Sequence, residues 1–97
     1  MSVTVTIQVQ VKPDKLDEFL DFLRKNLPDT RAFPGCESII LHQNQDDPTT
    51  FIYVQRWAAR TDQEAYVAWR TEQGVFDAFV DMLASEPMFG YYDAVDV

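Results

Sequence analysis

The sequence predicts an α+β protein of ferredoxin-like topology, an antiparallel sheet with helices on one face, and three observations support this. The chain has 97 residues, of which 46% are hydrophobic, and this suits one domain over residues 1–97. Segments whose apolar residues recur at every second position alternate with segments that follow the helical spacing. Their order is β-α-β-β-α-β, with the second helix broken in two, which is the split βαβ arrangement.

The first strand and the first helix are marked by a change in hydrophobic period. From Val3 to Val11 every second residue is Val or Ile, and uncharged polar residues stand between most of them. Pro13 suits the first turn of a helix. An apolar stripe at helical spacing follows, made of Leu16, Phe19, Leu20, Leu23 and Leu27. We expect this helix to end at Pro28, because proline interrupts helical hydrogen bonding.

A hairpin is predicted for the middle of the chain. Phe33-Pro34-Gly35 has turn chemistry, and a strand is expected from Cys36 to Asn44. Asp46-Asp47-Pro48 forms the next turn. The third strand, Phe51 to Trp57, is rich in aromatic and β-branched residues. Two strands joined by a short polar turn are expected to pair as a hairpin.

The second helix is predicted to begin with a capping box. Thr61 is the expected N-cap, Glu64 follows three residues later, and the helix runs to about Arg70. Gly74 interrupts it. A second helical stripe then follows, made of Val75, Phe76, Phe79, Val80 and Leu83, and Pro87 is expected to end it.

The last strand is predicted over Met88 to Val97, and it completes a sheet whose second face carries no helix. The polar side of the first strand, from Thr4 to Gln10, is uncharged. An uncharged polar face suits partial burial against another sheet better than full exposure. We therefore expect two copies of the chain to pack sheet on sheet as a homodimer.

Charge and cysteine content exclude several classes of partner. Sixteen Asp and Glu stand against eight Lys and Arg, for a net charge of −8, so neither nucleic acid nor an anionic membrane is an expected partner. No apolar run approaches the roughly 20 residues that span a bilayer, and the N-terminus lacks a signal-peptide pattern, so a cytoplasmic protein is expected. Cys36 is the only cysteine, and a buried thiol is expected rather than a nucleophile.

Few residues offer acid–base or metal chemistry. His42 is the only histidine, and no Cys/His cluster or Gly-rich phosphate loop exists, so no His-based metal site and no dinucleotide-binding turn are expected. His42 and Asn44 share a strand face by alternation, and either could exchange a proton at a pocket mouth. The alternative is a surface histidine beside a polar turn.

The second half of the chain offers an aromatic pocket. By alternation Tyr53 and Trp57 share one side of the third strand, and Tyr66, Trp69 and Arg70 share one helix face. If that helix packs over the sheet, the four aromatic side chains line one pocket with the guanidinium at its rim. Such a pocket suits a flat, oxygenated aromatic ligand. The alternative is that these rings are simply the core of a small domain.

Several short segments also carry a family resemblance over essentially the whole chain. They are Val11-Lys12-Pro13, Phe33-Pro34-Gly35-Cys36, Asp46-Asp47-Pro48, Gln55-Arg56-Trp57 and Glu64-Ala65-Tyr66. In order and spacing they resemble the antibiotic biosynthesis monooxygenase family. The resemblance implies a dimeric α/β-barrel, built from two ferredoxin-like protomers joined through their sheets. It also implies oxidation of anthrones or quinols by O₂ without metal, flavin or haem, with the substrate anion as the source of electrons.

The resemblance also implies roles for individual residues. Trp57 and Tyr66 match a strand-end tryptophan and a helical tyrosine that serve the substrate in anthrone-oxidising relatives, and Tyr53 stands where those relatives have asparagine. In haem-degrading relatives a tryptophan is followed about ten residues later by a histidine. Trp69 matches that tryptophan, but positions 79 and 80 are Phe and Val, which disfavours haem degradation.

Together the residues and the resemblance predict a cofactor-independent monooxygenase that oxidises a quinol-like or polycyclic phenolic small molecule with O₂. Three residues are the candidate catalytic groups: Trp57, Tyr66 and His42. Four are candidates for substrate binding: Tyr53, Trp69, Arg70 and Asn44. The alternative is a non-catalytic dimer that binds a small aromatic molecule or acts as a stress-response accessory protein. Oxygen uptake with anthrone or naphthoquinol substrates discriminates the two.

Overall fold

The computed structural model describes residues 1–97 and alternates strands with helices. The elements are β1 (Val3–Gln10), a 3₁₀ turn (Pro13–Lys15), α1 (Leu16–Ala32), β2 (Cys36–Gln43), β3 (Thr50–Trp57), α2 (Arg60–Glu72), α3 (Val75–Asp81) and β4 (Met88–Tyr92). None of the helices combines the length and apolar character that crossing a membrane requires.

The four strands form one antiparallel sheet in the order β2-β3-β1-β4. One transverse row shows the register: Ile39 pairs with Gln55, Gln55 with Val5, and Val5 with Tyr91. The predicted hairpin is formed by β2 and β3. This strand order, with helices between β1 and β2 and between β3 and β4, confirms the predicted ferredoxin-like α+β fold.

The inward face of the sheet carries the core. Every odd-numbered residue from Val3 to Val11 is buried, and on β3 the inward Phe51, Tyr53, Gln55 and Trp57 are buried as well. Phe19 and Leu23 of α1 and Phe79 of α3 complete the same cluster. The period-two pattern thus faces the helical stripes, as hydrophobic burial on one side of the sheet requires.

The first helix extends beyond its predicted end. It starts with a 3₁₀ turn at Pro13 and continues through Pro28 to Ala32, so the prediction that Pro28 ends it is wrong. Pro28 is exposed, whereas Thr30 in the next turn is only 2% exposed and hydrogen-bonded to Tyr66. Tertiary contacts beyond Pro28 outweigh the one backbone hydrogen bond that proline forgoes.

The predicted capping box of the second helix is also wrong. The helix begins at Arg60, its N-cap is Ala59, and no side chain caps it. Thr61 lies inside the first turn, and Glu64 pairs instead with Arg60 at 3.5 Å. Because the helix begins at Arg60, Arg60 and Glu64 are one turn apart and form an i,i+4 ion pair.

The end of the chain contains less regular structure than the pattern indicates. The third helix ends at Asp81, and Leu83 forms an isolated bridge with Val11 rather than continuing the helix to Pro87. Strand β4 ends at Tyr92, which pairs with Thr4, one residue from the start of β1. The predicted strand from Met88 to Val97 is therefore correct only in its first half.

Cys36, at the start of β2, is half-buried against the core. Burial raises the pKa of its thiol, more than the nearby Arg31 lowers it. The thiol therefore stays protonated at neutral pH, which fits a packing residue better than a nucleophile.

The turn before β2 requires glycine. Gly35 has a φ of +89°, and the turn is closed by the Cys36 N–H, which donates to the Phe33 carbonyl at 3.0 Å. A methyl group at this position would also collide with the side chain of Asp62. Both effects act on Gly35, whereas Gly74 has a positive φ of +75° but open space around it.

We expect Gly35→Ala to lower the free energy of unfolding by about 2 kcal/mol or more, since backbone strain and collision add. Gly74→Ala, the matched control, should cost only about 1 kcal/mol, because it carries strain alone. Urea unfolding of the two variants measures the difference. Equal losses would show that the contact with Asp62 relaxes freely.

Candidate functional site

A cavity of about 70 Å³ lies between the inward face of the sheet and the helices. Its floor contains residues of all four strands, namely Ile7, Ile39, Tyr53, Gln55 and Phe89. Helices α1, α2 and α3 supply the walls, which are mostly apolar. Arg70 is the only charged residue that lines the cavity.

Arg70 is unusual because it is buried without an acid. Its side chain is 4% exposed, and it takes part in none of the four ion pairs of the chain. Neutral oxygens hold it instead: Nη2 donates to the Asn26 carbonyl at 2.9 Å and to Thr30 Oγ1 at 3.2 Å, and Nη1 donates to Gln73 Oε1 at 3.2 Å. The guanidinium is therefore fixed in place, and its positive charge is not neutralised.

Tyr66 lies beside this guanidinium, one helical turn before it. Its hydroxyl accepts a hydrogen bond from Arg70 Nε at 2.9 Å and lies 2.6 Å from Thr30 Oγ1. Because the Thr30 hydroxyl donates to the Asn26 carbonyl, the Tyr66 hydroxyl must donate to Thr30. The phenol and the guanidinium thus reach the cavity with fixed orientations.

Tyr53 presents a different hydroxyl to the cavity. It is 6% exposed, and none of the hydrogen bonds of the chain involves its hydroxyl, yet no fully buried side-chain polar atom lacks a partner. The hydroxyl is therefore open to the cavity that Tyr53 lines. Burial, and to a smaller extent the neighbouring Tyr66, raise the pKa of Tyr53. At neutral pH this hydroxyl stays protonated and is a donor rather than a base.

Two glutamines line the cavity with one end of each amide occupied. Gln55 Oε1 accepts the indole N–H of Trp57 at 2.8 Å, and Gln63 Oε1 accepts the hydroxyl of Tyr91 at 2.7 Å. The side chains are 4% and 1% exposed, respectively. Neither amide nitrogen has a partner in the chain, so both are open to the cavity.

Trp57 and Trp69 do not line the cavity but form its support. Trp57 is fully buried, and its ring centre is 5.5 Å from that of Tyr66. Trp69 lies on the other side, 6.1 Å from Tyr66, and the guanidinium carbon of Arg70 is 4.5 Å from its ring centre. The structure therefore brings four predicted residues together, with Tyr66 and Arg70 in the cavity and the two tryptophans behind them.

His42 and Asn44 lie away from this cavity. His42 is exposed and pairs with Ile52 in the sheet, on the face opposite the helices. Asn44 follows the end of β2, where its Oδ1 accepts the backbone N–H groups of Asp46 and Asp47 at 2.8 and 2.9 Å. Neither side chain reaches the residues that line the cavity.

The predicted turn at Asp46-Asp47-Pro48 is confirmed, and its carboxylate is used within the chain. Asp47 accepts hydrogen bonds from the backbone and side chain of Thr49 and from the hydroxyl of Thr50. These bonds, those of Thr49 first, lower the pKa of Asp47. No group of three or more His, Cys, Asp or Glu side chains is close enough together to hold a metal ion.

Four polar residues of the cavity are absent from the sequence-based site: Asn26, Thr30, Gln55 and Gln63. Gln55 has a detectable signal, since it is the only residue that is not aromatic among Phe51, Tyr53, Gln55 and Trp57 on the inward face of β3. Asn26 and Thr30 share one face of α1, but the predicted helix end at Pro28 separates them. Only the packed structure shows that Gln63 points inward.

The fold and the cavity define a ferredoxin-like α+β protein with a small cavity between its sheet and its helices. A crystal structure of an antibiotic biosynthesis monooxygenase has the same fold, with a TM-score of 0.87 and 23% identity over 97% of this chain and 99% of that one. SnoaB, a cofactor-independent oxygenase from Streptomyces nogalater that was crystallised as a point mutant, is also similar. Its TM-score is 0.83 and its identity 14%, over 99% of this chain and 95% of that one.

Among curated proteins, the uncharacterized protein sll1783 of Synechocystis is 28% identical over 58 residues, which are 60% of this chain and 40% of that protein. The chain thus matches less than half the length of this relative. The sequence model of the antibiotic biosynthesis monooxygenase family matches residues 2–84. The chain therefore belongs to the antibiotic biosynthesis monooxygenase family, as the sequence segments indicate.

Proposed function

We propose that the protein oxidises a small phenolic or quinol-like ring with O₂, binding the ring as its anion in the cavity between sheet and helices and using no metal or organic cofactor. One observation carries this proposal: the guanidinium of Arg70 is buried, lines an otherwise uncharged cavity, and has no carboxylate partner. Family membership supports the monooxygenase class.

A buried charge without a counter-ion is costly, and a ligand of opposite charge removes that cost. A phenolate or enolate oxygen meets this requirement, while the apolar walls accommodate the ring. Placed donors in a water-poor site stabilise such an anion more strongly than bulk water does. The ionised ring is also the form that O₂ oxidises most readily.

The proposed reaction needs only the substrate and O₂. The substrate anion transfers one electron to O₂, and the resulting radical and superoxide join as a carbon–oxygen bond. The peroxide takes up a proton, its O–O bond breaks, and the carbon loses its remaining hydrogen as a carbonyl forms. A ring CH₂ group and O₂ thereby give a carbonyl group and water. The protein binds the anion, orients it and excludes water.

In the proposed site Arg70, Tyr66 and Tyr53 contact the substrate. Arg70 stabilises the anion, and the hydroxyl of Tyr66 accepts from Arg70 Nε and holds the guanidinium in orientation. Tyr53 donates a hydrogen bond from the floor. Trp57 and Trp69 act through these residues by fixing their positions. His42 and Asn44 are left out of the proposed site because they lie away from the cavity.

The size of the cavity requires movement on binding. It measures about 70 Å³, whereas a buried cavity of about 150 Å³ holds benzene. Helix α3 supplies Val75, Phe76 and Phe79 to the wall and is joined to α2 through Gly74, in left-handed conformation with open space around it. We propose that α3 moves outward to admit the ring and closes over it.

We further propose that the protein is a homodimer of single-domain subunits, joined through the open faces of the sheets. Large apolar side chains remain exposed on that face, with Ile40 at 56%, Met88 at 67% and Tyr92 at 57%. Its other residues include the uncharged Thr4, Thr6 and Gln8 of β1. A second copy buries this surface without burying unpaired charge.

Oxygen uptake with a panel of anthrones and naphthoquinols tests the oxidation. We expect Tyr66→Phe to lower the rate about tenfold or more, because the hydroxyl that Arg70 binds is lost. Tyr92→Phe is the matched control, since it makes the same change on the opposite face of the sheet, and its rate should equal that of the wild type. Wild-type uptake no faster than the spontaneous reaction across the panel contradicts the proposal.

A second candidate function is the binding of an aromatic anion without catalysis. One observation favours it: no carboxylate, imidazole or amine lines the cavity, so no ordinary general base is present there. Ligand binding, followed by tryptophan fluorescence, without any oxygen uptake would select this candidate.

A further inference from the structure

The amide oxygen of each cavity glutamine accepts a hydrogen bond from an aromatic side chain outside the cavity lining. An indole N–H can only donate, so Trp57 requires the amide oxygen of Gln55 and turns its NH₂ group the other way. On the other side of β1, the Tyr91 hydroxyl donates to the amide oxygen of Gln63 at 2.7 Å. Both side chains are more than nine-tenths buried, and each leaves an NH₂ group without a protein partner. Because no fully buried side-chain polar atom lacks a partner, these NH₂ groups are reached through the cavity, where an acceptor oxygen can bind them.

Both amides are tied to one transverse row of the sheet, Gln55 directly and Gln63 through Tyr91. Gln55 and Tyr91 occupy the same transverse row, separated by Val5, which is fully buried and small. Gln63, which lies on α2, accepts a hydrogen bond from Tyr91 of this row. Both glutamines line the cavity.

The positive group lines the cavity two helical turns from Gln63. Gln63 and Arg70 are seven residues apart on α2, a rise of about 10 Å along the helix. Arg70 is tied to Asn26 and Thr30 of α1, whereas Gln63 is tied to Tyr91 of β4. A six-membered ring with oxygens at opposite positions, plus a hydrogen bond of about 2.9 Å at each end, spans such a separation.

We propose that Gln55 and Gln63 form a second oxygen-binding subsite, so that the cavity selects rings with an ionised oxygen at one end and a neutral acceptor oxygen at the other. Placing the ligand in this cavity rests on the proposed function. Trp57 and Tyr91 are positioning residues of the subsite, since they orient the amides without lining the cavity. A carbonyl oxygen is the natural acceptor, because it receives two N–H donors and carries no charge.

Two phenols that differ only in the group opposite the hydroxyl test whether the cavity binds a second oxygen. In 4-nitrophenol the group opposite the hydroxyl offers acceptor oxygens, whereas in 4-(trifluoromethyl)phenol a group of similar size offers none of comparable strength. Dissociation constants are measured by tryptophan fluorescence at one fixed pH, for wild type and variants. For each phenol, the dissociation constants of wild type and variants are compared at the same pH. The ionised fraction of the free phenol is then the same in every comparison.

We expect Gln63→Met to weaken 4-nitrophenol fivefold to about tenfold and to change 4-(trifluoromethyl)phenol less than about twofold. The matched control, Gln45→Met in the exposed turn, should change neither. Tyr91→Phe keeps the ring but frees the Gln63 amide, so it should lower the preference for 4-nitrophenol without weakening the other phenol.

Three results overturn the subsite: no binding of 4-nitrophenol to the wild type, equal weakening of both phenols by Gln63→Met, or no change in either. Such results would indicate that the amides hold only water. The outcome is separate from that of the proposed oxidation. Ligand discrimination without oxygen uptake refutes the oxidation and keeps the subsite, and uptake without discrimination does the reverse.

Discussion

Arg70→Met is expected to lower the rate of oxygen uptake about 100-fold or more without lowering the stability of the protein. Loss of a single placed donor to a developing anion typically costs that much in rate. Methionine has a similar length and fills the same apolar surroundings. The rate is measured with an oxygen electrode, and stability by urea unfolding of the same preparation.

The stability part follows from the partners that Arg70 leaves behind. The Asn26 carbonyl still accepts from Thr30, and the Thr30 and Tyr66 hydroxyls still bond to each other. Gln73 is exposed and turns to water. Removal of the guanidinium thus leaves no buried polar group without a partner, and it removes an uncompensated charge. We expect the free energy of unfolding to stay within about 1 kcal/mol of the wild type or to rise.

Arg24→Met is the control for the change in net charge. Arg24 is exposed on α1 and pairs with Asp21 at the surface. This variant should keep both activity and stability. If Arg70→Met unfolds the protein, the guanidinium is structural, and if it keeps full activity, the anion is held elsewhere.

Val54→Asp is expected to convert the protein from a dimer into a monomer, raising the dimer dissociation constant at least about 1,000-fold. Val54 lies on the open face of the sheet, in one row with Ile40 and Thr6. In a single chain its side chain is half-buried and borders solvent, so a carboxylate there is hydrated. In the proposed dimer the same carboxylate lies between two sheets and loses its water.

Light scattering at micromolar concentration measures the effect. The variant should have the mass of one chain, 11.2 kDa, and the wild type twice that mass. Val54→Thr keeps the shape without the charge and should remain a dimer. A wild-type mass of 11.2 kDa, or a Val54→Asp protein that stays dimeric, contradicts the proposed interface.

The sequence predicts the fold well because the signals of this fold are local. Alternation from Val3 to Val11 fixes which face of β1 is buried, and Pro34-Gly35 marks the turn before β2. The errors occur where contacts between residues far apart in the sequence determine where an element ends. Helix α1 passes Pro28, where Thr30 contacts Tyr66 from another helix, and β4 stops at Tyr92, close to the start of its neighbour β1.

The candidate site is predicted in part, for the same reason. Tyr66 and Arg70 are found from helical spacing, and Tyr53 from strand alternation. The spacing does not show whether a large ring lines a cavity or packs behind its lining. The sequence therefore predicts Trp57 and Trp69 as lining residues, whereas in the structure they pack behind Tyr66 and Arg70. Asn26, Thr30 and Gln63 enter the site only through packing between elements, and single-element patterns do not report it.

The central claim is that the cavity binds an ionised ring oxygen beside Arg70. The absorbance of bound 4-nitrophenol, followed as a function of pH, tests it most directly. A buried guanidinium favours the ionised phenol, so affinity should rise as the pH passes through the pKa of the free ligand. In the wild type we predict a pKa of the bound phenol about one pH unit or more below that of the free phenol, and no such lowering in Arg70→Met. A bound phenol whose pKa equals or exceeds that of the free phenol would contradict the claim.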